Sequence, residues 1–344
     1  MSEVPTQVHG NPDKIDQAPK KELLRVLVTS GTTAMAHTIS WAIAQGTVFG
    51  FDQPVILHLL DAKGTMSTLE GIVLELLDCT FPLLRQVLMT TVDDSAFTDI
   101  DAAFLLYEAP AMPVEEGVKL FRRYGSALET YAKKTIKAVV CGTYAPINAF
   151  VCMRSAPSID RRNISALTRL EHNQALAQIA AKLSVAPNKV KNVIVWGGLQ
   201  NIPDAYNAYF HHRDAVVAVT ESVKDDDYFL KEFSDVVCSR GRAVHDARKK
   251  YPSLSKGKAA CDHMHDWWQG TPDGTWVSMG VASDGSYGVP DGIVYSFPVC
   301  IGSDKNWVIV KGIKLQSMTE QKIHESVKHT MSEVDKALGS VLVS

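Results

Sequence analysis

Between an apolar, β-branched run at Leu23–Thr29 and a helical pattern at Ala34–Gln45 lies the turn Ser30-Gly31-Thr32-Thr33, one glycine among three hydroxyls. Such a turn offers hydroxyl and backbone N–H donors to an anion at a helix N-terminus. Other candidates for chemistry are weaker. His263 and His265, in the stretch CDHMHD, are two residues apart and point to different sides of a helix, so they form no metal pair. His211-His212 beside Arg213 reads as a surface doublet, and Asp225-Asp226-Asp227 as a solvated cap. The six cysteines (79, 141, 152, 238, 261 and 300) contain no CxxC pair. That pattern argues against a zinc site or a disulfide framework and fits a reducing compartment. No P-loop and no GxSxG motif is present. No metal site is expected.

The elements around these residues are legible from periodicity. Pro54–Leu60 is a second buried strand, ending at Asp61; Val87–Thr90, Ala102–Leu106 and Ala138–Cys141 are further strands. Helical patterns at Thr65–Leu77 and Glu115–Lys137 separate them, and strands alternating with helices imply a parallel, doubly wound α/β sheet. A second half begins near Ser155. It offers an amphipathic helix at Thr168–Leu183, a strand at Asn192–Trp196 and helices at Val236–Tyr251 and Gly257–Trp268. β-hairpins from Trp276 follow, and a closing helix, Thr319–Leu338, ends at Gly339. Trp267, Trp268 and Trp276 read as core. Residues 1–22 are polar with Pro5, Pro12 and Pro19, and are expected to be a disordered tail.

With 344 residues, 46% of them hydrophobic, and a net charge of -3, the chain suits two globular domains. A balance of 35 basic and 38 acidic residues gives no reason to expect nucleic acid as a partner. No apolar run approaches the ~20 residues of a membrane span, and neither terminus reads as a targeting signal, so a cytoplasmic location is expected.

Long stretches resemble the cytosolic type of NAD-dependent malate dehydrogenase: TVFGFDQPVILHLLD (47–61), LELLDCTFPLL (74–84), MRSAPSIDRRNISALTRLEHNQALAQIAAKL (153–183) and WVSMGVASDGSYGVP with VYSFPV (276–299). They follow the family's order from about residue 23 onward. The resemblance implies a Rossmann-type parallel-sheet domain at 23–154, a mixed α+β substrate domain at 155–344, NAD as the cofactor if there is one, and a homodimer.

Residue by residue, the resemblance also implies losses. The family's cofactor turn, GAAGQIA, is matched by Ser30–Ala36, so Ser30 and Thr33 replace its glycines while Gly31 is retained one place late. A β-branched threonine adds bulk where backbone and phosphate should touch. Asp61 matches the acid that hydrogen-bonds the adenosine ribose, or is a strand-end cap. Tyr107 stands where the family has another glycine. In GNPANTN the cofactor-side asparagine becomes Thr143, and only Asn148 remains. The proton-transferring histidine of IWGNHS is matched by Leu199. The orienting acid of DHNRA is retained in kind as Glu171, alternatively a first-turn helix charge, and its clamp arginine is Gln174. The arginine pair of the active-site loop becomes Val114 and Glu115 in a shorter loop. The expectation is a catalytically inactive homologue with a structural, regulatory or ligand-sensing role, associating with itself or with an active paralogue. The alternative is a diverged NAD-dependent 2-hydroxyacid oxidoreductase of altered substrate, which needs a His, Lys or Tyr within reach of Glu171. A third reading is an inactive NAD-binding sensor.

Overall fold

The computed structural model describes residues 7–8, 21–108, 112–213, 215–225 and 227–342. In chain order its first half holds β1 (Gln7–Val8), β2 (Leu24–Thr29), α1 (Ala34–Gln45), β3 (Val55–Leu60), α2 (Met66–Asp78), β4 (Leu84–Thr90) and α3 (Asp93–Phe97). Then come β5 (Ala102–Tyr107), α4 (Val114–Tyr131), β6 (Lys137–Gly142) and α5 (Ala145–Ser155). The runs in β2, β3, β5 and β6 are aliphatic on both faces, and such strands are stable only inside a sheet covered on both sides. They pair in parallel, with Val26 opposite both Leu57 and Ala102. Even His58 of β3 is buried; its Nδ1–H donates to the Ala96 carbonyl at 2.9 Å.

The second half contains β7 (Ile164–Ala166), α6 (Arg169–Leu183), β8 (Val190–Lys191), β9 (Ile194–Trp196), β10 (Ile202–Asp204), β11 (Tyr209–His212), β12 (Ala215–Ala218) and α7 (Val219–Val223). It closes with α8 (Phe233–Arg248), α9 (Leu254–Gln269), β13 (Val277–Ala282), β14 (Val294–Ile301), β15 (Trp307–Ile309) and α10 (Ser317–Leu342). One ten-stranded sheet joins the halves in the order β1-β4-β3-β2-β5-β6-β7-β13-β14-β15. Strands β4 to β7 run parallel, and β7, β13, β14 and β15 continue antiparallel. The direction of winding reverses between β2 and β5, which opens a crevice at the carboxyl ends of those strands. Helix α6 is tied to α9 by Arg169, which pairs with Asp266 and donates to Asn173 Oδ1 at 2.9 Å. This network fixes the helix that carries Glu171.

Three expectations are corrected. The helix expected over Glu115–Lys137 stops at Tyr131, because the Lys137 amide already bonds the Asp101 carbonyl (3.1 Å) at the head of β6. The helix expected at Val236–Tyr251 starts earlier, at Phe233 after a π-helical turn, drawn in by the buried rings of Tyr228, Phe229 and Phe233, and ends at a left-handed Lys249. Helix α10 runs through Gly339 to Leu342; a glycine in a helix costs only about 1 kcal/mol and does not have to end it. In the expected tail, Gln7 and Val8 pair with Leu88 and Val87, while residues 1–6 and 9–20 lie outside the described residues. Helices α3 and α5 and the hairpin β11–β12, which carries His211 and His212, were not expected.

Candidate functional site

Two loops at the carboxyl ends of the parallel strands build the first wall. After β2, Ser30 takes φ 51, the left-handed turn for which glycine is the usual residue, and its Oγ donates to the Leu106 carbonyl at 3.2 Å. Gly31 packs so closely on β3 and α2 that an added Cβ would lie 2.9 Å from Leu69 Cδ2. Thr32 donates to one oxygen of Asp61 twice, from its amide at 2.8 Å and from its hydroxyl at 2.6 Å. The second Asp61 oxygen accepts the Ala62 amide at 2.7 Å. Thr33 caps α1: its Oγ1 accepts from the Ala36 amide at 3.3 Å and donates to the Ser30 carbonyl at 2.9 Å. The donors and the acid that the sequence put forward as ligand contacts are thus bonded to one another.

After β6, Gly142 (φ 110) brings the Thr143 amide to the Tyr107 carbonyl at 2.8 Å, and Tyr144 (φ 54) opens α5. The ring of Tyr107 stacks edge-on against Phe121. Asn148 is fully buried, donating from Nδ2 to the Thr143 carbonyl at 2.9 Å. It braces the loop from behind.

The opposite wall comes from the second half. A cleft of about 550 Å³ lies between the β6–α5 loop, the start of α6, the β9–β10 turn and α10. Glu171, in the first turn of α6, and Leu199, in the β9–β10 turn, share it with Thr143, Tyr144 and Thr168. His329 and Glu333 line it from α10. Glu333 is held by Lys336 at 2.5 Å. Lys256 of α9, which exerts a weak pull on Glu171, is held by Glu108 at 2.8 Å. Gln174, Val114 and Glu115 do not line the cleft; Val114 is buried in the core, and Glu115 faces solvent. Residues 109–111 of the shortened loop lie outside the described residues. His172 and His263, on the helices around the site, are buried against Ser278 and Ser165 and are core histidines. The tryptophans at 267, 268 and 276 pack on the core as expected, and His265 turns away from His263 toward the Val48 carbonyl.

Glu171 is partly buried, and burial pushes its carboxyl up to about 7 from the ordinary 4.5, against the smaller opposing effects of its own backbone bond and of Lys256. No hydrogen bond joins Glu171 to an imidazole among the described residues. The sign of the linkage follows directly. The folded chain holds a proton here between about pH 4.5 and 7 that the unfolded chain has released, so stability falls as pH rises across that window and is flat above it. Glu171→Gln is therefore expected to match the parent near pH 4 and exceed it by about 1–3 kcal/mol at pH 8, measured by urea denaturation at both pH values.

His329 and Glu333 escaped the sequence reading because they lie some 160 residues from Glu171 on a helix with no motif. Only the fold brings α10 over the cleft.

A profile of the lactate/malate dehydrogenase alpha/beta C-terminal domain matches residues 168–340. The cytoplasmic malate dehydrogenase of Gallus gallus is 44% identical over 330 residues, covering 92% of this chain and 98% of that one. The chain belongs to the malate dehydrogenase family. Solved structures agree with the family assignment. Malate dehydrogenase from Naegleria fowleri superposes with a TM-score of 0.87 at 30% identity, over 93% of this chain and 99% of that one. Lactate dehydrogenase from Trichomonas vaginalis, solved with NADH and oxamate, gives 0.89 at 31% identity, over 93% and 100%. The expected lactate/malate dehydrogenase fold is correct: this malate dehydrogenase homologue has the parallel sheet and the C-terminal α/β half of its relatives.

Proposed function

We propose that this malate dehydrogenase homologue has kept the scaffold and the cleft but does not carry out the dehydrogenation, and that it acts in a structural, regulatory or ligand-sensing capacity. The observation that carries this reading is the company of Glu171: a leucine, Leu199, shares its cleft, and among the described residues no arginine or lysine lines that cleft. A dicarboxylate would meet a carboxylate there with no cation to hold it, and its carbonyl would meet no imidazole held by an acid.

The residues at the β2–α1 turn do not fit an NAD-type dinucleotide. Asp61 is engaged by Thr32 and Ala62, and the N-terminus of α1, where a pyrophosphate would lie, is capped by the Thr33 side chain. NADH at 1 mM is expected to move the thermal midpoint by less than about 1 °C. A site with a dissociation constant a hundredfold lower would add about 2.7 kcal/mol, a shift of several degrees, and the inactive NAD sensor would then be the right reading.

A second reading is a diverged 2-hydroxyacid oxidoreductase, and His329 in the cleft favours it as a relocated acid/base. It requires NADH oxidation with some 2-oxo acid in a panel that includes monocarboxylates, lost in His329→Gln; the proposal expects no substrate-dependent oxidation with any of them. The remaining parts of the proposal follow the family: a homodimer or a hetero-oligomer with an active paralogue, a cytoplasmic location, a boundary near residue 155 between the two domains, and a disordered tail over the rest of 1–22.

A further inference from the structure

We infer that the cleft has reversed its charge preference and takes a small aliphatic primary amine, whose ammonium group pairs with Glu171. The inference rests on the reading of the cleft as a retained pocket without turnover. Its starting point is the lining. Glu171 faces about 550 Å³ of space whose wall, among the described residues, holds no lysine or arginine and one histidine, His329.

Three nearby cations are engaged elsewhere. Lys336 pairs with Glu333, Lys256 with Glu108, and Arg169, two residues before Glu171, turns to Asp266. Among the described residues no ion pair reaches Glu171, and burial has pushed its carboxyl up to about 7 against the smaller pull of Lys256. A buried carboxylate lacking its partner is stabilised by any cation that can reach it. Ammonium is the natural complement, because it brings three N–H donors to an acceptor-only group. Thr143 and Tyr144 stand in the same wall. The body of the ligand is set by Ala145, Pro146, Leu167 and Leu199, which give the pocket an apolar side suited to a short alkyl chain. The position of Leu199 thus becomes a contact surface for methylenes.

Because the amine pairs with the ionised carboxylate, binding depends on the state of Glu171. The groups facing it are Lys256 from α9, Cys238 from α8, and His329 with Glu333 from α10. Between pH 6 and pH 8 the ionised fraction of a carboxyl near 7 rises roughly tenfold, while an alkylammonium keeps its charge.

The test is calorimetric titration of the full chain with n-butylamine, with n-butanol as the uncharged analogue and malonate as the dicarboxylate. n-Butylamine is expected to bind at least tenfold more tightly than either, and about tenfold more tightly at pH 8 than at pH 6. Glu171→Gln should lose both the binding and its pH dependence. Leu199→Arg, which puts a cation into the pocket, should lose n-butylamine and gain malonate. Equal binding of n-butylamine and n-butanol, or amine binding that survives Glu171→Gln, overturns the inference. Malonate binding to the parent chain together with turnover of a 2-oxo acid overturns the functional reading beneath it; absence of both, with no amine binding, overturns the inference alone.

Discussion

Gly142→Ala is expected to destabilise the fold by about 3 kcal/mol or more, read as a lower urea midpoint at unchanged slope. Gly142 sits at φ 110, a conformation that L side chains rarely adopt, and a Cβ built there would lie 2.0 Å from the Tyr107 carbonyl oxygen. That oxygen cannot retreat. It accepts the Thr143 amide at 2.8 Å, and Tyr107 is paired with Gly142 in the parallel ladder of β5 and β6. Relief would have to come from separating two central strands or from tilting the loop that carries Thr143 and Tyr144 into the cleft. Backbone strain alone accounts for about 1–3 kcal/mol, and the clash adds to it. Gly64→Ala is the control. It has φ 94 but nothing within 4 Å of the added Cβ, so its loss should stay near the strain alone. If the two variants lost the same stability, the close approach of β5 and β6 at the cleft would be wrong.

The sheet was legible in the sequence because its strands are aliphatic on both faces. Runs such as PVILHLL have one stable environment, and the burial of all six residues of β3 is that environment. The turn at Ser30–Thr33 was legible as a changed cofactor loop, since the residue types alone show bulk where glycine is needed. That Thr32 and Asp61 close on each other was not, because the bond spans 29 residues and depends on β2 and β3 lying side by side. Glu171 was read correctly as an acid in the first turn of a helix. Its isolation could not be read, because it depends on where Lys256, Lys336 and Arg169 spend their charge. The helix α10 shows the limit most clearly. Its amphipathic pattern announced a helix, and nothing local announced that His329 and Glu333 would line the cleft. The hairpin β11–β12 was missed for a simpler reason: its residues are largely exposed, so no burial pattern marks it.

Oxaloacetate reduction by this chain is expected to run at least about 10⁴-fold below that of an active cytoplasmic malate dehydrogenase. The argument is additive in free energy. Moving a hydride to the carbonyl carbon requires a proton at the carbonyl oxygen, and a positioned general acid typically contributes about 10²–10⁴-fold. Leu199 can supply no proton, and among the described residues no imidazole is hydrogen-bonded to Glu171. Holding the substrate so that its reacting atoms align contributes separately, and bidentate arginines are the usual means for a dicarboxylate. Among the described residues no arginine lines this cleft, and Lys256 and Lys336 are paired with Glu108 and Glu333. Residues that act as a unit do not add in simple proportion, so a single Leu199→His change should leave the rate at background.

The central claim, a conserved scaffold without the family's chemistry, is tested most directly by steady-state NADH oxidation with oxaloacetate. The purified full chain and the Gallus gallus cytoplasmic enzyme are assayed side by side over pH 6–9. The account predicts kcat/KM at least about 10⁴-fold below the reference at every pH, with no change in Glu171→Gln. A rate within a hundredfold of the reference, abolished by Glu171→Gln, would contradict it.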